Sequence, residues 1–239
     1  ALSWDEVKQI HAAGHEIGNH SLTHNFMTKM NAAQLERETG LAEELITAHI
    51  GEAPLSFAYP YNEFNAAAHA AVLRHCIAAR EKWTAFGGKN FTPAIADGYV
   101  LDAMKEHAWL VPMIHGIDTG FMPYSYASFQ AHLAFVKRHV PAVWVDTYAD
   151  VFRYTQERAA AELAATGAGG DSLEFSLGCP LDARVYDVPL TVVVPLPARG
   201  PIEELQVSRG EAALPFIREH DRLLIDVVPG LEPVRVTWE

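Results

Sequence analysis

Apolar and polar positions along the chain follow a helical period in some stretches and a strand period in others, and the two alternate through its first two thirds. Trp4, Val7 and Ile10 share one helix face behind Ser3 and Glu6, which make a capping-box pattern, and Gly14 is placed to end that helix. Residues 15–19 then read as a short strand. Asn31 and Gln34 cap a second helix that turns Leu35, Ala42, Leu45 and Ile46 inward and stops at Gly51. Strands are expected at residues 56–59, 77–80, 109–114 and 142–145, and helices at 65–75, 101–107, 126–139 and 148–165. This repetition of strand and helix argues for a parallel sheet, open or closed into a barrel.

The pattern changes at Thr166. Residues 166–171, TGAGGD, are small and polar and read as a linker. Beyond them the runs 190–194, 202–207, 222–228 and 233–238 cluster or alternate β-branched residues between Gly and Pro breaks, as short strands do. The chain therefore divides into an α/β domain over residues 1–165 and a small antiparallel β domain over residues 172–239. In the second, Tyr186 and Trp238 offer aromatic platforms, and packing is the favoured role for both.

Composition narrows the range of partners. With 239 residues and 49% hydrophobic content the chain is long enough for a sizeable core. A net charge of −12 argues against nucleic acid and anionic membrane surfaces, both of which need clustered Lys and Arg, and leaves neutral glycans compatible. No apolar run approaches the roughly 20 residues of a membrane span, and no signal-peptide layout is visible at the front. Cys76 and Cys179 lie far apart and read as buried small apolar residues, not as a disulfide or a zinc knuckle.

The densest chemistry lies in GHEIGNHSLTH, residues 14–24. His20 and His24, four residues apart, can face one point from either a helical turn or a tight loop, and a metal ion is the natural occupant. Three more segments follow in order: FAYPY at 57–61, WLVPMIHGI at 109–117 and VWVDTYADVFRY at 143–154. Together they resemble the polysaccharide deacetylases, the NodB-like carbohydrate esterase family 4, over residues 3–158. The resemblance implies an incomplete or irregular (β/α) barrel and a hydrolase acting on amide or ester bonds of an acetylated carbohydrate. Its cofactor would be a divalent metal, zinc by preference, held by His20 and His24. His115, ahead of Gly116 at a strand end, would protonate the leaving group, and the Tyr61 backbone N–H would polarise the acetyl carbonyl. Tyr59, Pro60, Arg80 and Trp109 would line the substrate side; Ala58 takes the place of a family arginine, and Arg80 either approaches that place from the neighbouring strand or makes a surface salt bridge. Asp97 and Trp109 are the candidates for supporting His115, Trp83 for a wall of the cleft, and the other nine histidines are structural.

Against the family pattern, no adjacent aspartate pair precedes the histidines, and Asp5 sits in a helical stretch. The family uses such a pair as base and third metal ligand, so the chain is either a piece lacking its front or one that has lost the ordinary reaction. Two functions therefore stand: a metal-dependent carbohydrate deacetylase, or a catalytically silent carbohydrate-binding or scaffold protein. A zinc peptidase is disfavoured because HExxH is absent. A glycan substrate implies a secreted or periplasmic location.

Overall fold

In the computed structural model, which describes residues 2–140, 142–196 and 204–238, the chain forms two compact units, Ala1–Ala149 and Asp150–Glu239. The first begins with α1 (Trp4–Ala12), where the Ser3 and Glu6 side chains cap each other's backbone. The same reciprocal cap, between Asn31 and Gln34, starts α2 (Ala32–Ile50), and Gly51 closes it in the left-handed conformation with φ +94°. Both caps lie where the sequence places them.

Three extended segments then lie side by side. Asn19 pairs in parallel with Phe57 of β1 (Ser56–Ala58), and β1 pairs in parallel with β2 (Ala78–Arg80) across α3 (Ala66–Val72). Phe57, Tyr59, Ala68, Ala71, Val72 and Cys76 fold over Met27 and Leu35 as one buried cluster. A second parallel pair, β3 (Thr84–Ala85) and β4 (Pro112–Met113), is connected through α4 (Pro93–Glu106). α5 (Tyr126–His139) packs on α4 around Phe86, Ala96 and Tyr124. His132 is buried there and bonds Asp97 at 2.7 Å.

Several expected elements differ. Residues 15–18 make no ladder, and only Asn19 of that stretch is paired. α4 starts well before residue 101, because Thr92 caps it and Pro93 takes the first helical position, where a missing N–H costs nothing. The expected strand 142–145 is irregular, with Trp144 and Val145 more than half exposed, since no neighbouring strand among the described residues offers it a ladder. The parallel strands form two separate two-stranded sheets and not a closed barrel among the described residues.

The first helix to span the unit boundary is α6 (Tyr148–Ala160), which ends before residue 165. The expected linker is instead a hairpin: β5 (Glu162–Gly169) and β6 (Ser172–Gly178) pair in antiparallel fashion with a bulge between Ala165 and Gly167. Small residues suit an edge strand exposed along its whole length as well as they suit a linker, and composition alone does not separate the two. β6 continues through β12 (Val234–Trp238) and β8 (Leu205–Arg209) to β9 (Ala212–Ala213). β7 (Leu190–Pro195), β11 (Arg222–Val227) and β10 (Ile217–Arg218) make a second antiparallel sheet. Alternate residues of each, among them Phe175, Val207, Val234 and Val236 from one and Val192, Val194, Leu223 and Ile225 from the other, meet in a single core. Trp238 packs against it and donates to the Gly170 carbonyl, while the start of the expected run 202–207 lies outside the described residues. Cys76 is buried as expected; Cys179 is half-buried, so that expectation is corrected.

Candidate metal centre and cleft

The loop carrying the two histidines is built by α2. Leu35 and Ala42 of that helix face the core, and on the same face Glu38 is buried. Its carboxylate accepts the Thr23 N–H at 2.8 Å and the Thr23 hydroxyl at 2.6 Å. The Leu22 N–H reaches the Glu38 carbonyl, and the buried Asn19 amide donates to the Thr39 carbonyl. Asn19 also accepts from the Ser21 N–H, and the Ser21 hydroxyl from the His24 N–H. Ser21 and His24 take left-handed backbone angles, φ 68° and 56°, so the segment is a tight loop and not a helical turn. Glu38 and Asn19 escape a motif-based reading; the signal for Glu38 is a carboxylate set on the apolar stripe of an amphipathic helix.

The loop brings the His20 and His24 rings to 4.8 Å, edge to face. The His20 Nδ1 lies 2.6 Å from the Ala58 carbonyl oxygen. That oxygen can only accept, so Nδ1 carries the proton and Nε2 keeps its lone pair free, as in ligating histidines held by a backbone carbonyl. Although His20 retains solvent access, burial of its ring lowers its pKa; the Ala58 bond opposes this, and the nearby His24, Arg80 and His115 lower it further. Both effects of position favour the neutral, ligating form. A divalent cation accordingly fits part of its donor set here, two imidazoles with one oriented from behind. Among the described residues no three His, Cys, Asp or Glu side chains are grouped to hold a metal ion.

His115 lies just past β4, exposed, with its ring edge-on to Phe121 at 5.1 Å. Gly116 behind it has to be glycine: a Cβ there would stand 2.3 Å from the Thr119 carbonyl oxygen. Tyr61 follows Pro60 in a short 3₁₀ turn and adopts φ 58°. The Asn62 and Glu63 N–H groups bond the Tyr59 and Pro60 carbonyls, whereas the Tyr61 N–H finds no acceptor among the described residues. Arg80, at the end of β2, donates to the Asn62 side chain at 2.7 Å, lies 5.7 Å from the Trp83 ring and leaves its buried Nε unbonded. Burial lowers its pKa.

Some expected roles shift. Tyr59 is 1% exposed, and its hydroxyl contacts His69 Nδ1 at 3.0 Å, so it belongs to the core and not to a sugar subsite. Burial first, then the Glu81 charge, drives its phenol far above the usual range. Pro60 is buried as well and shapes the turn from within. Asp97 pairs with His132, and Trp109 stacks near Tyr148 at 4.9 Å, so neither is found supporting His115. The Tyr148 hydroxyl donates to the Ala79 carbonyl, and burial pushes its pKa up to about 12.

A profile of the polysaccharide deacetylase family matches residues 2–78. A gellan lyase from a Bacillus species is 23% identical over 94% of this chain and 11% of its own length. A peptidoglycan deacetylase from Helicobacter pylori is 28% identical over 48% of this chain and 40% of its own. The chain thus spans only a minor part of either relative. A solved CE4-family pseudoenzyme from Bacillus anthracis superposes with a TM-score of 0.43 at 18% identity, covering 56% of this chain and 45% of the other.

Proposed function

We propose, from the match of residues 2–78 to the polysaccharide deacetylase model and the likeness to a peptidoglycan deacetylase, that this chain is a hydrolase that removes acetyl groups, N- or O-linked, from a carbohydrate. One observation carries the reading: the His20 and His24 rings stand 4.8 Å apart, with His20 turned by the Ala58 carbonyl and the Tyr61 ring 4.9 Å from His24. His20 and His24 would hold a divalent cation, with zinc favoured by the imidazole donors. When bound, such a cation supplies Lewis acidity toward an acyl oxygen.

The chain's own groups supply two further roles; the base that takes the proton of the attacking water is not among them. The Tyr61 N–H points its unused donor at the oxygen that gains charge as water adds to the carbonyl. His115, protonated, delivers its proton to the departing amine nitrogen or alkoxide oxygen as the bond to carbon breaks. Arg80 fixes the Tyr61 turn through Asn62. A glycan substrate places the site of action outside the cytoplasm. The net charge and the substrate class together leave nucleic acid and membrane surfaces aside as partners; no helix among the described residues is long and apolar enough to cross a membrane.

A second reading, a carbohydrate-binding protein without turnover, is favoured by the lack of a carboxylate grouped with the histidines among the described residues. Calorimetric zinc titration beside a His24→Ala control, followed by an acetate-release assay, separates the two. One-to-one binding lost in the control, with acetate release abolished by chelator, is the expected result. Zinc binding without release on any acetylated glycan would favour the second reading. His115→Ala should abolish release while leaving zinc affinity within a few fold; a large loss of affinity would overturn its role as acid.

A further inference from the structure

Gly40 stands in the middle of α2, where the backbone does not ask for a glycine. Its φ is not left-handed, and after proline glycine is the poorest helix former. A neighbour accounts for it: a Cβ at Gly40 would lie 3.1 Å from Cε1 of the His75 ring. His75, in the turn between α3 and β2, presses that ring against the helix between Glu36 and Glu43. Its Nε2 lies 2.9 Å from Glu36 Oε1 and its Nδ1 2.5 Å from Glu43 Oε2. The side chain is only 15% exposed, so water has little room to replace either carboxylate.

A carboxylate oxygen only accepts, so each of these bonds needs an N–H, and a neutral imidazole has one. Both form together when the ring carries two protons, and both are then charge-assisted. With one proton, the second carboxylate faces a lone pair. The other cation at the cluster, Arg74 beside His75, is taken up by Glu36, to which it donates at 2.7 and 3.2 Å. Arg74 first, and then His75, hold the Glu36 carboxyl below the usual range, so it stays an acceptor where imidazole titrates. The Cys76 thiol keeps its proton there, held up at about 12 by burial first and then by the Glu43 charge.

We propose that Glu36, His75 and Glu43 form a pH-sensitive clasp that locks α2 to the turn between α3 and β2, closed while the ring holds two protons and half open once it gives one up. Two bonds favour the charged ring, so the clasp's contribution to stability is full below the ordinary imidazole value of about 6.5 and is lost as pH rises above it. α2 also supports the segment from Asn19 to Thr23 through the Thr39 carbonyl and the Glu38 carboxylate. The same proton therefore governs how firmly the support of that loop is fixed. This holds whether or not the chain hydrolyses anything.

The test is long-range ¹H–¹⁵N NMR of the whole chain between roughly pH 5.5 and 8.5, with the His75 signals assigned by their absence in His75→Gln. Both ring nitrogens should carry protons at pH 6. One should lose its proton as pH is raised, and the tautomer that remains names the arm that stays closed. The thermal midpoint of the wild type should exceed that of His75→Gln by about 2 °C or more at pH 6, and by less than half as much at pH 8.5. Glu43→Gln, whose amide can accept from Nδ1 or donate to it, should show a flatter dependence of midpoint on pH than the wild type. Gly40→Ala should lower the midpoint of the wild type yet raise it in a His75→Ala background, where the better helix former crowds nothing. A lone pair on either ring nitrogen at pH 6, a midpoint gap that does not change with pH, or a gain from Gly40→Ala in both backgrounds would overturn the clasp. If His75→Gln does not fold, displacement of the His75 signals in Glu43→Gln assigns them, and the wild-type titration decides.

Discussion

Cys76 shows how a single side chain reports its surroundings. The thiol is buried, donates to the Ser56 carbonyl, and is pushed up to about 12 by burial first and then by the charges of Glu43 and Glu16. In the unfolded chain a thiol ionises near its ordinary value of about 8.5, so between there and about 12 the folded state holds a proton that the unfolded state has lost. Stability from this group is full below the lower value and falls as pH rises through the window; Tyr148, also raised to about 12, acts in the same direction above roughly pH 10. Urea denaturation should therefore weaken from pH 8 to pH 11, with a flatter profile in Cys76→Ala. In native protein a thiol reagent at neutral pH should label Cys179 well before Cys76. Glu38 makes the converse case, a carboxylate kept in the core by two bonds to Thr23. Glu38→Leu removes both acceptors and leaves the Thr23 N–H and hydroxyl without them, and a loss of about 1–3 kcal/mol in urea denaturation is expected. If His20 and His24 hold zinc as proposed, its affinity should fall as well, because the histidine loop hangs on that pair.

Among elements, α2 does more than fill space, since its side chains and carbonyls hold the segment from Asn19 to Thr23 in place. Its N-terminal cap is reciprocal, and Asn31→Ala should cost about 1 kcal/mol, seen as a lower thermal midpoint. Caps and the left-handed Gly51 could be read ahead of the structure because they depend on neighbours three or four residues away. The strands could not be read as well: β1, β2 and β4 are two or three residues long, and whether such a stretch forms a ladder depends on a partner distant in sequence. In the second unit the alternation in β7 and β11 is strict enough to name the inward residues. Ile225→Ala, a wholly buried position there, should lose about 2–5 kcal/mol by urea denaturation.

For the molecule as a whole, charge and partition matter most. A net charge of −12 and a pI near 5.4 predict least solubility near pH 5.4, measurable by turbidity. They also predict no gel shift with duplex DNA at 150 mM salt; retention of DNA would show a local basic surface that the total conceals. The division into units falls at Ala149 and Asp150, within the first turn of α6, and not in the glycine-rich stretch that the composition suggested. A boundary of that kind depends on which residues touch, and small residues at 164–169 serve a β-edge as readily as a tether.

The amino-acid sequence by itself determined what rests on local chemistry: the two capped helices, the strand alternation beyond Thr166, the paired histidines, and a likeness of residues 2–78 to the polysaccharide deacetylase model. Only the tertiary structure decided what depends on contacts across the chain. It put Tyr59 in the core and Tyr61 on the surface, although the two stand on either side of one proline. It joined Asp97 to His132 and left His115 beside Phe121. It also turned the His20 ring by means of the Ala58 carbonyl, a backbone atom whose identity no residue type encodes. The physical reason is the same each time: burial and ring orientation are set by neighbours dozens of residues away, and a one-dimensional pattern carries the types of those neighbours but not their distances.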